Sequence, residues 1–385
     1  MRIALILEDF GAIGGIQEVV DNLAVEFARA GHTTTIISTP HVTAGCAREP
    51  RSTAERFLVE LPGQKALTLR HPERLWRQPR VPALAEYLAR WRPAIVNSHV
   101  WTWDKLLTVA REVRRSGIPF VQTLHDSWGR GTLGNKALTM LGNADALTAV
   151  SAATREFFCR QSPAARSTVV IRNGVDLEAA GAAAPASFAR PYIFCTAQLN
   201  LRFKAVDILI DGFALLAQRL GDVDLVLAGD GVDRARLEQQ AERRGIGQRV
   251  RFCGVVPRDR LWQLYKGARV FAMPSREPEG LGMVFLEALA CGTPAIGTGS
   301  GGTPEVIADG VTGFLLRRND PEELAARLEQ LLTDAELRAR MGRAGQETVA
   351  RAFGWRAIAA QYLRVYESCL EGRAASPRAA GMVAR

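Results

Sequence analysis

The sequence predicts an α/β protein of two doubly wound domains on three observations. Apolar residues gather in short runs rich in Val and Ile, helical segments separate those runs, and the alternation breaks once and then starts again. Parallel sheets with crossover helices leave that signature, because their strands are buried on both faces. A length of 385 residues also fits two domains better than one.

In the first half the predicted strands are Arg2 to Leu7, Thr34 to Ser38, Ala94 to Asn97, Phe120 to Leu124, Ala146 to Val150 and Thr168 to Ile171. Helices such as Ile16 to Ala30 and Lys105 to Ser116 separate them. From Glu178 to Arg190 the chain reads EAAGAAAPASFAR, where Ala, Gly and Pro replace any apolar period, and this is the expected linker. Strands resume at Tyr192 to Thr196, Asp224 to Ala228, Val250 to Phe252, Val270 to Met273 and Ala295 to Gly297. The end is helical from Pro321 to Leu370, with an apolar stripe of Ile358, Tyr362, Val365, Tyr366 and Leu370 that must dock somewhere. The expected layout is a first Rossmann-like domain over 1–177, a linker over 178–190 and a second Rossmann-like domain over 191–354. A helix over 355–372, placed to cross back to the first domain, and a flexible tail over 373–385 complete it. The two domains are expected to face a central cleft, the default ligand site.

Composition narrows the classes. With 47% hydrophobic and 23% charged residues, the chain is an ordinary globular protein with no low-complexity tract. The formal charge of +9 comes from scattered residues, such as Arg111, Arg114, Arg115, Arg338, Arg340 and Arg343, with no basic run interleaved with aromatics. That pattern argues against a nucleic-acid partner and leaves solvation or a weak peripheral contact with a membrane surface. The six cysteines form no CxxC pair and sit mostly in apolar runs, as buried thiols do in a reducing compartment. The opening MRIALILEDFGAIGG is too short an apolar run to span a membrane and runs into a glycine turn, so a cytoplasmic protein is expected.

Three segments carry candidate chemistry. The turn with Gly11, Gly14 and Gly15 follows the first strand and opens a helix, where backbone amides and the positive helix end suit a phosphate. Its spacing is not GxGxxG, and the next strand ends in Ser38 and Thr39 instead of a carboxylate, which argues against a nicotinamide or flavin enzyme. In the second half, Arg202 and Lys204 follow the strand Tyr192 to Thr196, at a sheet edge where cations suit a departing pyrophosphate. Beyond Pro274, Glu277 and Glu279 precede Gly280 and Gly282, and a helix starts near Met283. Amides of Gly282, Met283 and Val284 could take a phosphate there. Glu287 lies among Phe285, Leu286, Ala288 and Leu289, so burial is expected to give its carboxylate a partner.

That segment, EPEGLGMVFLEALACGTPAIG, resembles the hallmark of the family 4 retaining glycosyltransferases, which have the GT-B fold: two glutamates with seven residues between, here Glu279 and Glu287, with Leu281 in the aromatic position. GGIQEVVDNLAVEFARAGH resembles the family's first loop and helix, LHD (Leu124 to Asp126) its histidine loop, NGVD (Asn173 to Asp176) its interdomain segment, and GGTPEVIADGVTGFL its C-terminal sheet edge. The resemblance implies that Glu279 binds donor-sugar hydroxyls and Glu287 the ribose. It places Gly14, Gly15 and the amides of Gly282 to Val284 at the pyrophosphate, Lys204 as its neutralising cation, and His125 in the sugar site. The sequence departs from the family at Gln198, where arginine is usual, and at Ala205, where glycine is usual; Arg202 is the expected substitute cation.

The implied reaction moves a hexosyl group with retention from a UDP- or GDP-linked sugar to a glycan, lipid-linked or small-molecule acceptor. It needs no cofactor and no metal. His41, His71 and His99 have no metal-ligand spacing, and the DxD of Asp222 and Asp224 precedes a strand instead of following one. Both glutamates are assigned to the donor, so a front-face route is favoured over a glycosidase-like acid pair. The alternatives are a catalytically silent partner of another transferase, given Gln198 and Ala205, and an epimerase or phosphorylase on the same frame. The acceptor side, Thr39 to Pro79 with the adjoining Arg80, offers Arg70, Arg74, Trp76, Arg77 and Arg80, equally suited to a charged acceptor or to solvent.

Overall fold

The computed structural model describes residues 1–10, 14–39, 51–60, 81–100, 102–126 and 141–374. They divide into two compact units, the described residues of 1–173 with 355–374, and residues 174–354. Helices are numbered in chain order over the described residues.

The first unit contains β1 (Arg2–Asp9), α1 (Gly15–Arg29), β2 (Thr33–Thr39), β3 (Glu55–Leu58), α2 (Pro82–Trp91), β4 (Ile95–Ser98), α3 (Trp103–Arg115), β5 (Phe120–Leu124), β6 (Ala146–Ala149), α4 (Ala152–Gln161) and β7 (Val169–Val170). Its sheet is parallel in the order β3-β2-β1-β4-β5-β6-β7. Ile3 to Leu7 of β1 are buried, as expected for a strand with helices on both faces. One side of the core joins Ala4, Ile6, Val96, Phe120 and Leu147 to Leu84 and Leu88 of α2 and to Leu106, Val109 and Val113 of α3. The edge strand β3 was not expected. Its residues ERFL are largely exposed, so it leaves no apolar run, and its place comes from the backbone ladder to β2.

The second unit contains α5 (Leu177–Ala182), β8 (Tyr192–Thr196), α6 (Val206–Ala217), β9 (Asp224–Ala228), α7 (Arg234–Arg243), β10 (Val250–Phe252), α8 (Arg258–Gly267), β11 (Val270–Met273), α9 (Met283–Ala290), β12 (Ala295–Thr298), β13 (Gly313–Leu316), α10 (Pro321–Thr333) and α11 (Ala335–Ala352). Its sheet, also parallel, runs β10-β9-β8-β11-β12-β13. An aromatic chain fills one face: Phe194 and Tyr265 meet edge to face at 5.0 Å, Tyr265 and Phe271 lie at 5.2 Å, and Phe271 and Phe285 at 5.8 Å.

The expected linker over 178–190 requires correction, because that segment packs within the second unit. Lys266 of α8 donates to the carbonyls of Ala180 (3.2 Å) and Gly181 (2.7 Å), and the Ala186 amide donates to the Gln263 carbonyl at 2.8 Å. Small residues erase the apolar period there, and Gly267 at the end of α8 lets the segment's backbone approach: a Cβ on Gly267 would stand 2.1 Å from the Ala186 oxygen. The chain passes from the first unit to the second after Asn173 and returns at Trp355 with α12 (Trp355–Ala374), which belongs to the first unit. Ile358, Tyr362 and Tyr366 of its apolar stripe are buried, and Tyr366 accepts a hydrogen bond from Asn97 of β4 at 2.7 Å and lies 5.8 Å from Phe27 of α1. The tail residues 375–385, Gly11, Cys46, His41, His71 and the cluster from Arg70 to Arg80 lie outside the described residues. No helix among the described residues is long and apolar enough to cross a membrane.

Candidate functional site

Each sheet reverses its strand order once, between β1 and β4 in the first unit and between β8 and β11 in the second. Loops leaving the carboxyl ends of two such strands diverge to opposite faces and open a crevice, where open α/β sheets place ligands. Gly14, Lys204 and Glu279 fall on or at the ends of these loops, whereas His125 follows β5 and Glu287 lies within a helix.

In the second unit Lys204 lies on the loop after β8 and Glu279 on the loop after β11. Lys204 Nζ is 2.5 Å from Glu279 Oε1, and the Ser275 hydroxyl donates to the same oxygen. The loops are locked to one another by the backbone: Ala205 N donates to Pro274 O at 2.9 Å, and Arg276 N to Phe203 O at 2.8 Å. Arg276 adds two bonds to Asp207, at 2.8 and 2.6 Å, and reaches the carbonyls of Leu201 and Lys204. The loop after β12 closes the third side, with Gly302 N donating to Glu279 O at 2.8 Å. A Cβ on Gly301 (φ +60°) would stand 2.3 Å from that oxygen, so the contact requires glycine.

Helix α9 starts beside this carboxylate. Gly282 is its N-cap at φ +89°, and no side chain caps the helix start. Gly282 is buried, while Met283 and Val284 are half-buried. Amides at an uncapped helix start suit an anion.

Glu287 follows within α9 and is 4% exposed. The partner required by its burial is supplied by α8: Arg258 Nη1 lies 2.7 Å from Oε1, and the Tyr265 hydroxyl donates to Oε2 at 2.6 Å. Arg258 also stacks over the Trp262 ring at 4.6 Å. Burial and the neighbouring carboxylate hold the Tyr265 phenol well above its ordinary pKa, so it is a permanent donor. Each carboxylate oxygen retains a second lone pair for a ligand hydroxyl.

Gln198 and Arg202 stand apart from this cluster. Both are exposed on the loop after β8, with the Arg202 guanidinium over the Phe203 ring at 5.3 Å. Asp222 and Asp224 lie at the start of β9, the opposite sheet edge, and both pair with Arg190, at 3.5 and 3.3 Å. Among the described residues no three His, Cys, Asp or Glu side chains converge as metal ligands do.

In the first unit Gly14 is the N-cap of α1 and Gly15 its first residue, again with no side-chain cap. His125 follows β5 and His99 follows the adjacent β4; His99 Nδ1 and His125 Nε2 are 2.9 Å apart. Burial drives the His125 pKa down from the ordinary 6.5 to about 3. Burial, then the neighbouring His125, lowers that of His99 well below its ordinary value. Both rings are therefore neutral near pH 7. The sequence reading missed His99, since strand register, not spacing, brings it to His125; β4 and β5 pair Val96 with Phe120 and Ser98 with Gln122. It also missed Glu8 at the end of β1, whose carboxylate accepts the Thr102 amide at 2.5 Å and lies 3.3 Å from Lys105 Nζ. Three strand ends thus bring Gly14, His99 and His125 to one edge of the first sheet.

Two parallel, doubly wound units, each with polar groups at its strand-order switch, define the GT-B class of glycosyltransferase. Residues 13–179 match the family described as Glycosyltransferase Family 4, and residues 185–348 match Glycosyl transferases group 1. A GDP-mannose-dependent alpha-(1-6)-phosphatidylinositol monomannoside mannosyltransferase of Mycolicibacterium smegmatis is 32% identical over 265 residues, 64% of this chain and 69% of that protein. A D-inositol 3-phosphate glycosyltransferase of Streptomyces avermitilis is 32% identical over 308 residues, 72% of this chain and 66% of that protein. Among solved structures, Anabaena Alr3699/HepE in complex with UDP superposes with a TM-score of 0.76 at 21% identity, over 96% of this chain and all (100%) of that one. The chain belongs to glycosyltransferase family 4. It is a glycosyltransferase of the GT-B fold that moves a sugar from a nucleotide-sugar donor to an acceptor, and these matches favour neither an epimerase nor a silent partner.

Proposed function

We propose that this enzyme transfers a hexosyl group with retention of configuration, from a UDP- or GDP-linked donor to a hydroxyl of a glycan, lipid-linked or small-molecule acceptor, without a resident metal or other cofactor. The observation that carries this reading is the Lys204, Ser275 and Glu279 cluster beside the uncapped start of α9. Lys204 and the amides of Gly282, Met283 and Val284 meet the diphosphate, and Gly14 and Gly15 offer uncapped amides at the start of α1. Glu279 holds hydroxyls of the donor sugar, Glu287 holds the ribose, and His125 lines the sugar site. Gln198 and Arg202 remain exposed and flank the phosphate loop.

As the bond from the anomeric carbon to the diphosphate breaks, the acceptor oxygen forms its bond on the same face. The acceptor proton passes to the departing phosphate oxygen. Lys204 and the helix amides stabilise the charge that develops there. The two glutamates are committed to holding the donor, with Glu287 tied to Arg258 and Tyr265, which supports a route without a covalent intermediate. GDP-linked donors are favoured by the name of the mycobacterial relative and UDP-linked donors by the ligand of the Anabaena structure.

The five described cysteines are free thiols, which suits the cytoplasm. A formal charge of +9 suits work at the inner membrane face when the acceptor is lipid-linked. A thermal-shift panel of nucleotides and nucleotide sugars identifies the base first. Product anomers are then read by NMR in buffer containing EDTA. A product with the donor's anomeric configuration, formed at an undiminished rate in EDTA, is expected; an inverted product or a lost rate overturns the corresponding part.

A further inference from the structure

We propose that His99 is a positioning residue that fixes the tautomer of His125, so that His125 carries its hydrogen on Nδ1 and meets a bound sugar as a hydrogen-bond donor, not as a base. The proposal rests on the placement of His125 in the sugar site given above.

The 2.9 Å contact between His99 Nδ1 and His125 Nε2 has two neutral forms, since one nitrogen must carry the shared hydrogen and the other must accept it. The other nitrogen of His99 decides between them. His99 is fully buried, and its Nε2 has no hydrogen-bond partner among the described residues. If His125 donated to His99 Nδ1, the His99 hydrogen would sit on Nε2, and a buried N–H would go unanswered. If His99 donates from Nδ1, only a bare lone pair is left at Nε2. Buried orphan N–H groups are much rarer in folded proteins than under-used acceptors. His99 therefore donates, His125 Nε2 accepts, and the remaining hydrogen of His125 is on Nδ1.

The surroundings hold this arrangement in place. The His99 amide donates to the Ile6 carbonyl at 2.7 Å, and its ring lies against Tyr362 of α12, with centroids 6.3 Å apart. Burial keeps both imidazoles neutral, so the shared hydrogen is not doubled by protonation near pH 7. A His125 held this way has its basic nitrogen occupied. It can donate to a sugar hydroxyl or a phosphate oxygen but cannot take the acceptor's proton, in agreement with a reaction whose proton leaves with the phosphate.

The test reads the tautomer directly. Long-range proton–nitrogen correlation spectra of the histidine-labelled enzyme should show His125 as the Nδ1–H form, with assignment from His125→Gln; an Nε2–H form in the unsubstituted enzyme overturns the proposal, whatever the kinetics. Three variants then separate positioning from packing. His99→Asn can place an amide donor near Nδ1 and is expected to retain the Nδ1–H form with about a threefold loss of kcat. His99→Asp can only accept, and is expected to move the hydrogen of His125 to Nε2 and to lower kcat about thirtyfold or more, with nucleotide Kd within about twofold. His99→Leu should fall between them and lose the tautomer preference. Unchanged kcat in a folded His99→Asp enzyme whose tautomer has switched would overturn the donor role. If His125→Gln leaves transfer intact while the Nδ1–H form is observed in the unsubstituted enzyme, the placement of His125 in the sugar site fails and the tautomer assignment stands.

Discussion

Lys204 Nζ lies 2.5 Å from Glu279 Oε1, joining the loop after β8 to the loop after β11 across the strand-order switch of the second sheet. The lysine assigned to the diphosphate and the carboxylate assigned to the sugar are thus one coupled pair. Glu279→Gln keeps the shape but removes the charge. It is expected to lower kcat on the order of 100-fold while nucleotide Kd stays within about threefold. Lys204→Met should lower kcat and raise the nucleotide Kd, because the cation acts on the bound phosphate as well as on the departing one. Steady-state kinetics and calorimetric nucleotide titration check both; equal kcat in Glu279→Gln and the unsubstituted enzyme would remove Glu279 from the site.

Glu287 takes its partners from α8. Tyr265→Phe deletes a buried hydrogen bond to a carboxylate and should cost about 1.5–3 kcal/mol in urea unfolding. Arg258→Leu breaks an ion pair whose carboxylate is buried, but the arginine side chain is 36% exposed. Water screens part of that pair, so about 1–3 kcal/mol is expected instead of the fully buried value. Both changes should also weaken nucleotide binding by about three- to tenfold if Glu287 holds the ribose, as they leave its carboxylate less well oriented.

Two glycines with positive φ separate conformational strain from steric conflict. Gly310, at φ +73°, has nothing within 4 Å of an added Cβ, so Gly310→Ala should cost only about 1 kcal/mol for the left-handed conformation. Gly301, at φ +60°, would drive its Cβ to 2.3 Å from the Glu279 carbonyl oxygen. Gly301→Ala should therefore cost more than about 3 kcal/mol, or displace the Glu279 loop and abolish transfer. Melting temperature and activity, measured on the two variants side by side, distinguish these outcomes.

The histidine pair makes stability depend on acid. His125 titrates at the ordinary 6.5 when unfolded and at about 3 when folded, and the folded value of His99 is lowered as well. Between those limits the unfolded chain binds more protons than the folded one, so stability is full above about pH 6.5 and falls as pH drops toward 3. Each histidine contributes a slope of up to about 1.4 kcal/mol per pH unit. Urea unfolding at pH 7, 6, 5 and 4 should show this decline. The double variant His99→Asn with His125→Gln should show a shallower one, and equal slopes would place the acid sensitivity elsewhere.

The alternation of apolar runs and helical segments determined the two parallel sheets, because burial on both faces imposes a local composition that can be read along the chain. Glu279 and Glu287 were legible for a related reason: a glycine-bracketed loop and a carboxylate amid apolar helix residues are anomalies within one short segment. The sequence also required a partner for Glu287. Only the tertiary structure chose Arg258 and Tyr265, which lie on a different helix. It also decided what the small residues of 178–190 do, since close packing against α8 depends on distance and not on composition. His99 was unreadable for the same reason. Its meaning comes from the register of β4 against β5, and hydrogen-bond register joins residues that no local pattern connects.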